Sequence, residues 1–418
     1  MARSNELSDP GFFGEFPHNL GIKFLAPGDI RPTAAQRDAY RKFTRMGDPL
    51  ADAVVDMFRS LPTGQGRRMF EIALTRGIDA VPDAPAELKA FFAQVDSIPY
   101  WVDQGKLDYA SRVSGRVGPW TLNLVLPMMS LNGGYLASRA GKVLVGTGGL
   151  SAESMAPRRV SETTGWWFDV TSPGGLGRFE AGFKNTLRVR LMHAQVRAGM
   201  SRRSDWDYAN WDQPVNQSLL AGTLLLFSWA SIIGCQVLGM QFSKQEKESV
   251  YHLWRYVGYL LGLESELLPA DEADAWRLMW LQADYEFLPD EDSRTLSKAL
   301  IASIGSIHGL NDDRVRTRAL RAVITGYATA YGRIMLGKKN SDYLGMADNR
   351  LFVAAVLATS TINTVIEVPR RLIPGATGIS ERAGRRVTGW FVRRVLQSNN
   401  PDRSYARHDR FADNRSAA

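Results

Sequence analysis

The 418-residue chain is 44% apolar and 22% charged, enough apolar content for a large core in one domain or two closely packed ones, and too much for a disordered protein. Its single cysteine, Cys235, rules out an intrachain disulfide and any zinc or iron–sulfur site built on several cysteines. The net charge is +8, but residues 370–418 carry eleven arginines against Glu381, Asp402, Asp409 and Asp413, so the body is nearly neutral and nucleic-acid binding is not expected.

The opening MARSNELSDPGFFGEF lacks the basic, apolar, small-residue order of a secretory signal and carries no twin arginine, so a cytoplasmic location is expected. Downstream, apolar residues recur every three or four positions, and the alternation of a sheet protein is missing. This predicts an all-α architecture with helices near 33–46, 49–60, 67–78, 86–96, 104–115, 119–138, 177–199, 215–241, 244–262, 271–287, 293–308, 312–337, 348–366 and 381–397. Asp48 followed by Pro49, and Ser243 with Glu246, mark two helix starts. The glycine- and proline-rich stretch 140–176 is expected to be irregular, and the polar end from about 398 to be loose. The expected organisation is an N-terminal extension (1–48), a helical domain (49–370), and a basic C-terminal helix and tail (371–418).

Residues 219–240 are uncharged and long enough to cross a bilayer, yet Ser228, Ser231 and Gln236 favour protein surroundings, so a buried core helix is expected. LFVAAVLATSTINTVI (351–366) is a shorter uncharged run. In 381–397, Val387, Trp390, Phe391 and Val395 form one stripe flanked by arginines. That pattern suits a helix packed on the body with solvated arginines, or one making peripheral membrane contact.

Two motifs imitate nucleotide sites and fail. KVLVGTGGLS resembles a dinucleotide loop, but Ser151 replaces the third glycine, Pro157 interrupts the following helix, and no βαβ alternation surrounds it. GRIMLGKK places Lys339 where a phosphate loop requires Ser or Thr, and it closes a helix instead of opening one. Gly-x-Ser-x-Gly, His-Glu-x-x-His and Cys-x-x-Cys are all absent.

LRVRLMHAQVR (187–197) sets Arg190, His193 and Arg197 on one helical face among Leu187, Val189, Leu191, Met192 and Val196. An imidazole in an apolar wall with cations a turn away on both sides is what a heme could use, iron on the imidazole and propionates on the guanidinium groups. The same pattern also describes a hydrogen-bonded core histidine. His18, His252, His308 and His408 read as structural or surface residues.

The run RVSETTGWWFDVTSPGGLGRFEAGFKNTLRVRLMHAQVR (159–197), then WDQPVNQSLLAGTLLLFS and WRYVGYLLGL, resembles the oxygenase family of latex clearing proteins (rubber oxygenases) and MpaB-type oxygenases over roughly residues 100–290. The resemblance implies a mostly helical fold with a globin-like core, a b-type heme, and His193 as the proximal iron ligand. The distal Arg-x-x-Lys-Thr segment of the latex enzymes matches Arg159 and Thr163, with Glu162 in place of lysine. Their upstream glutamate, thought to remove an allylic proton from polyisoprene, falls near Val143, and no carboxylate lies between Arg139 and Glu153.

The family reading therefore implies a heme oxygenase that uses dioxygen on an apolar small-molecule or lipidic substrate without cleaving polyisoprene. Arg159 would donate to the polarised oxygen, and Glu162 and Thr163 would complete the catalytic set. Glu162 has a second reading, as a structural ion pair with Arg158 or Arg159. Trp166 and Trp167 are core, pocket wall or heme contacts. A non-catalytic heme-binding or gas-sensing protein of the same fold is the alternative function.

Overall fold

Helix starts written in the sequence are the starts that form. Asp48 accepts from the Ala51 N–H with Pro49 at the first helical position, and Ser243 and Glu246 close a reciprocal capping box. The computed structural model describes residues 12–16, 18–147, 156–399 and 401–402. Among them every regular element is helical, apart from one isolated antiparallel bridge between Ala137 and Phe287.

In chain order the helices are α1 (His18–Leu25), α2 (Ala34–Tyr40), α3 (Pro49–Ser60), α4 (Gln65–Arg76), α5 (Ala86–Asp96), α6 (Gln104–Trp120), α7 (Asn132–Gly134), α8 (Ser138–Gly146), α9 (Ala156–Val170) and α10 (Ala181–Met200). They continue as α11 (Tyr208–Trp211), α12 (Gln217–Phe227), α13 (Trp229–Val237), α14 (Lys244–Leu260), α15 (Glu272–Glu286), α16 (Glu291–Ile307), α17 (Val315–Tyr343), α18 (Arg350–Leu372) and α19 (Ala376–Asn399). Between α6 and α7 the backbone widens into π-type turns over Thr121–Leu131, where Pro127, and Pro119 just before it at the end of α6, remove two backbone donors.

The apolar run 219–240 is the centre of the molecule. It divides into α12 and α13 at Ser228, and 83% of its most apolar window is buried, as a core helix requires. Around it pack α14, α15 and the π-type segment, and α10 lies against α14 between α3 and α9.

Three sequence expectations are corrected. Residues 140–176 are not irregular throughout: α9 occupies 156–170 and runs unbroken from Pro157 to Val170, so the proline does not interrupt it. The end of the glycine-rich motif, residues 148–151, lies outside the described residues. α19 packs on α6 and α9 by burying Thr388, Phe391, Val392 and Val395, whereas Val387 and Trp390, expected on the buried stripe, stay exposed. The helix is rotated so that small residues meet: a Cβ on Gly384 would fall 2.5 Å from the Gly115 carbonyl, and one on Gly118 2.4 Å from Thr388 Oγ1.

Candidate active site

A pair of antiparallel helices carries the candidate residues. The turn from α9 to α10 uses Gly174 at φ 68° and leaves no room for a side chain at Gly175, whose Cβ would fall 2.1 Å from the Asp169 carbonyl. Trp166 Nε1 donates to Thr186 Oγ1 at 3.0 Å and Asn185 Nδ2 to Asp169 Oδ2 at 2.8 Å, fixing how the two helices pair. Both advance about 1.5 Å per residue, so the same pairing brings Arg159, Glu162 and Thr163 to the level of Val189, His193 and Val196.

All six line one cavity of about 330 Å³, within the size range of small-molecule sites. Its remaining wall is mainly apolar, from Val143 and Leu144 of α8, Leu219, Leu220 and Leu224 of α12, and Trp166 and Phe227. Trp166 is thus pocket wall, packed edge-on to Phe227 at 5.1 Å, while Trp167 is core. Two further apolar cavities adjoin this one. A space of about 40 Å³ shares Gly134, Ala140 and Thr223 with it, and a chamber of about 210 Å³ lies beyond, walled by Phe13, His18, Trp229 and Trp276. Leu226 lines all three.

The structure does not bring Arg190 and Arg197 to this cavity. Arg190 donates from Nε to Asp48 Oδ2 at 2.7 Å and from Nη2 to Oδ1 at 3.0 Å, with Nη1 on Gln94 Oε1 at 2.6 Å. Arg197 grips Asp52 through Nε and Nη2 and the Val215 carbonyl through Nη1 at 2.7 Å. The cause is helix geometry: at 3.6 residues per turn, Val189, Met192 and Val196 fall on one side of His193 and the two arginines on the other, about 100° away. The expected pairing of these arginines with propionates is therefore corrected, and both act as ties to α3. Asp48 and Asp52, four residues apart, are the partners that sequence reading missed. Asp48 showed itself only as a cap, although two acids and two arginines, each set on one helical face, were a visible complement.

On the α9 side, Arg159 is partly buried on the cavity wall, and burial holds its guanidinium below the usual arginine range, with Glu162 opposing the shift and Arg158 adding to it. Glu162 pairs with Arg158 at 3.3 Å and accepts the Asp402 backbone N–H at 2.9 Å, so the ion-pair reading is realised and the side chain also reaches the cavity. Thr163 Oγ1 donates to the Arg159 carbonyl at 3.1 Å. Val143, where the latex enzymes' base would fall, is an apolar wall residue. Glu162 is the one carboxylate lining the cavity among the described residues.

Tyr135 was not anticipated. It is buried on the cavity wall, its hydroxyl has no hydrogen-bond partner among the described residues, and burial raises its pKa. A buried, unsatisfied hydroxyl costs about 1–3 kcal/mol, and a guest with an oxygen acceptor would remove that cost. It left no motif, only a tyrosine after two glycines.

These residues fit a heme in part. No group of three or more His, Cys, Asp or Glu side chains capable of holding a metal occurs among the described residues. A lone imidazole suits iron already held by a macrocycle, which needs one protein ligand and an apolar slot. For an anionic edge, Arg159 is the arginine on the cavity wall among the described residues.

The fold is of the helical oxygenase type. A solved structure titled latex clearing protein LCP in the closed state superposes with a TM-score of 0.60 at 20% identity, covering 82% of this chain and 88% of that one. The sequence profile of the ER-bound oxygenase mpaB/B'/rubber oxygenase catalytic domain matches residues 120–361, more than half of the chain and every residue lining the main cavity, and the chain belongs to this family. A comparison with curated proteins gives no match.

Proposed function

We propose that the chain is a heme-dependent oxygenase acting with dioxygen on an apolar small-molecule or lipidic substrate, held along the adjoining cavities. The observation that carries this reading is His193 on the wall of an apolar cavity beside a helix that presents Arg159, Glu162 and Thr163 to the same space. His193 would hold the iron, and the heme, when bound, supplies the redox chemistry of dioxygen.

The protein's own groups do the rest. Arg159 brings a partly desolvated cation to the wall, favouring negative charge on an oxygen nearby. Glu162, held by Arg158 and the Asp402 amide, is placed to take or return a proton through its carboxylate. Tyr135 offers an O–H to an oxygen of substrate or dioxygen, and the leucine, valine and tryptophan wall excludes water. Val143 in place of a base argues against allylic proton removal from polyisoprene. The line of three cavities supports an elongated guest.

The test supplies heme-loaded protein with a series of unsaturated apolar compounds of increasing chain length and follows dioxygen consumption. Turnover that rises with chain length until the cavities are filled supports the proposal. Heme-loaded protein that consumes no dioxygen with any member overturns the catalytic reading and favours a heme-binding or gas-sensing protein.

A further inference from the structure

α18 is built inside out. Its buried positions are Val356, Asn363, Glu367 and Arg370, a stripe recurring every three to seven residues that is mostly polar. Asn363 Nδ2 donates to the Leu238 carbonyl at 2.8 Å, and Glu367 accepts from Arg116 Nη1 at 3.0 Å and from Arg370 Nη2 at 2.9 Å. The opposite face is apolar and open: Leu357, Ile362, Val365, Ile366 and Leu372 are each 55–75% exposed. A water-exposed helix shows the reverse pattern. Polar groups facing the protein and apolar groups facing out is the arrangement of a helix whose outer solvent is hydrocarbon. The second apolar run of spanning length has only 17% of its window buried, against 83% for the core pair α12–α13.

Charge selects the occupant. From 350 to 397, Arg350, Arg371, Arg382, Arg386, Arg393 and Arg394 are exposed, while the two carboxylates of that stretch, Glu367 and Glu381, are not. α19 follows α18 after a short turn and contacts it, and it exposes Val387 and Trp390 among arginines of its own. An apolar face rimmed by one sign of charge complements a bilayer carrying anionic headgroups. Because one stripe of α18 is committed to Leu238 and Arg116, the helix lies along the surface instead of crossing.

We propose that α18, with the exposed side of α19, docks the protein in the plane of an anionic lipid bilayer, its outer face entering the acyl boundary and its arginines meeting phosphate and carboxylate headgroups. The surface is independent of the heme reading.

The experiment is flotation of the full-length protein with vesicles of phosphatidylcholine alone and of phosphatidylcholine mixed with phosphatidylserine, alongside its mass in vesicle-free buffer. The expected result is partitioning that is stronger on the anionic vesicles and falls at least about tenfold in I362S/V365S/I366S. In R382Q/R386Q the loss on anionic vesicles is expected to be about 30-fold. I98S, at another exposed apolar side chain, leaves partitioning unchanged, and an unaltered melting temperature shows that each variant folds. Failure of the wild type to float with either vesicle overturns the proposal. A concentration-dependent dimer in buffer, abolished by the three serine substitutions and accompanied by no flotation, also overturns it and assigns the face to a second copy of the chain.

Discussion

Arg190 of α10 and Asp48 at the start of α3 form a two-pronged ion pair, at 2.7 and 3.0 Å, with both side chains 3% exposed. Asp48 also caps α3, and Gly262, at φ +79°, approaches so closely that a Cβ there would lie 2.4 Å from Asp48 Oδ2 and 2.5 Å from Arg190 Nε. One buried pair thus pins α3, α10 and the turn after α14. Removing one partner strands the other in a dry site.

Asp48→Asn and Arg190→Met are therefore each expected to lower unfolding stability by about 3–5 kcal/mol, and the double variant by less than the sum of the two. Chemical denaturation of the four proteins gives the coupling directly. Additive losses would show that the pair does not act as a unit.

Tyr135→Phe is expected to leave stability unchanged or raise it slightly, by up to about 1 kcal/mol, because the hydroxyl has no partner to lose among the described residues. Its effect belongs in ligand binding, where an oxygen-bearing guest would be held more weakly. Thermal melts with and without such a guest separate the two, and a clear destabilisation of the ligand-free protein would contradict this assignment.

Glu162→Gln loses the charge that pairs with Arg158 but keeps an oxygen for the Asp402 amide; with the Glu162 side chain buried and Arg158 only partly so, about 1–3 kcal/mol of stability is expected to be lost. In heme-loaded protein the same change is expected to alter the rate of reaction with dioxygen while heme content stays at the wild-type level. Unchanged oxygen kinetics would leave Glu162 as a structural tie.

His252 supplies a pH dependence. Its Nε2 accepts the Asp103 backbone N–H at 2.9 Å, which requires that nitrogen to be unprotonated. Burial, with Lys106 and Arg255 adding and Asp103 opposing, lowers its pKa from 6.5. The unfolded chain therefore binds this proton more readily than the folded one. The contribution is complete above about pH 6.5 and is lost as the pH falls through the lowered folded value. His252→Gln should flatten this part of the melting-temperature profile between roughly pH 7 and pH 5. A variant profile that still tracks the wild type would contradict the assignment.

The helices were legible because their caps and periodicity are local: Asp48–Pro49 and Ser243–Glu246 lie where the chain announces them. α9 was hidden because Pro157, Gly165 and the following glycines read as breakers, yet the helix runs unbroken from Pro157 through Gly165 and the glycines after 173 fall in the turn beyond. His193 could be singled out, and so could Arg159, Glu162 and Thr163, because a family pattern marks them. Whether Arg190 and Arg197 face the cavity could not be read, since these two and the cavity-lining Val189 and Val196 all lie within about 60° of His193 and only the positions of Asp48 and Asp52 decide. The inverted polarity of α18 was equally silent, because burial of Asn363 and Glu367 depends on Leu238 and Arg116, more than a hundred residues away.

The central claim is that the imidazole of His193 holds an iron porphyrin in the apolar cavity between α9, α10 and α12. It is tested most directly by the visible absorption of protein purified from heme-supplied cells, wild type beside His193→Ala, with melting temperatures to confirm that both fold. The account predicts an intense Soret band in the wild type and its loss, or a shift to that of weakly held heme, in the variant. A folded His193→Ala protein with the wild-type heme content and an unchanged spectrum, or a colourless wild type, would contradict it.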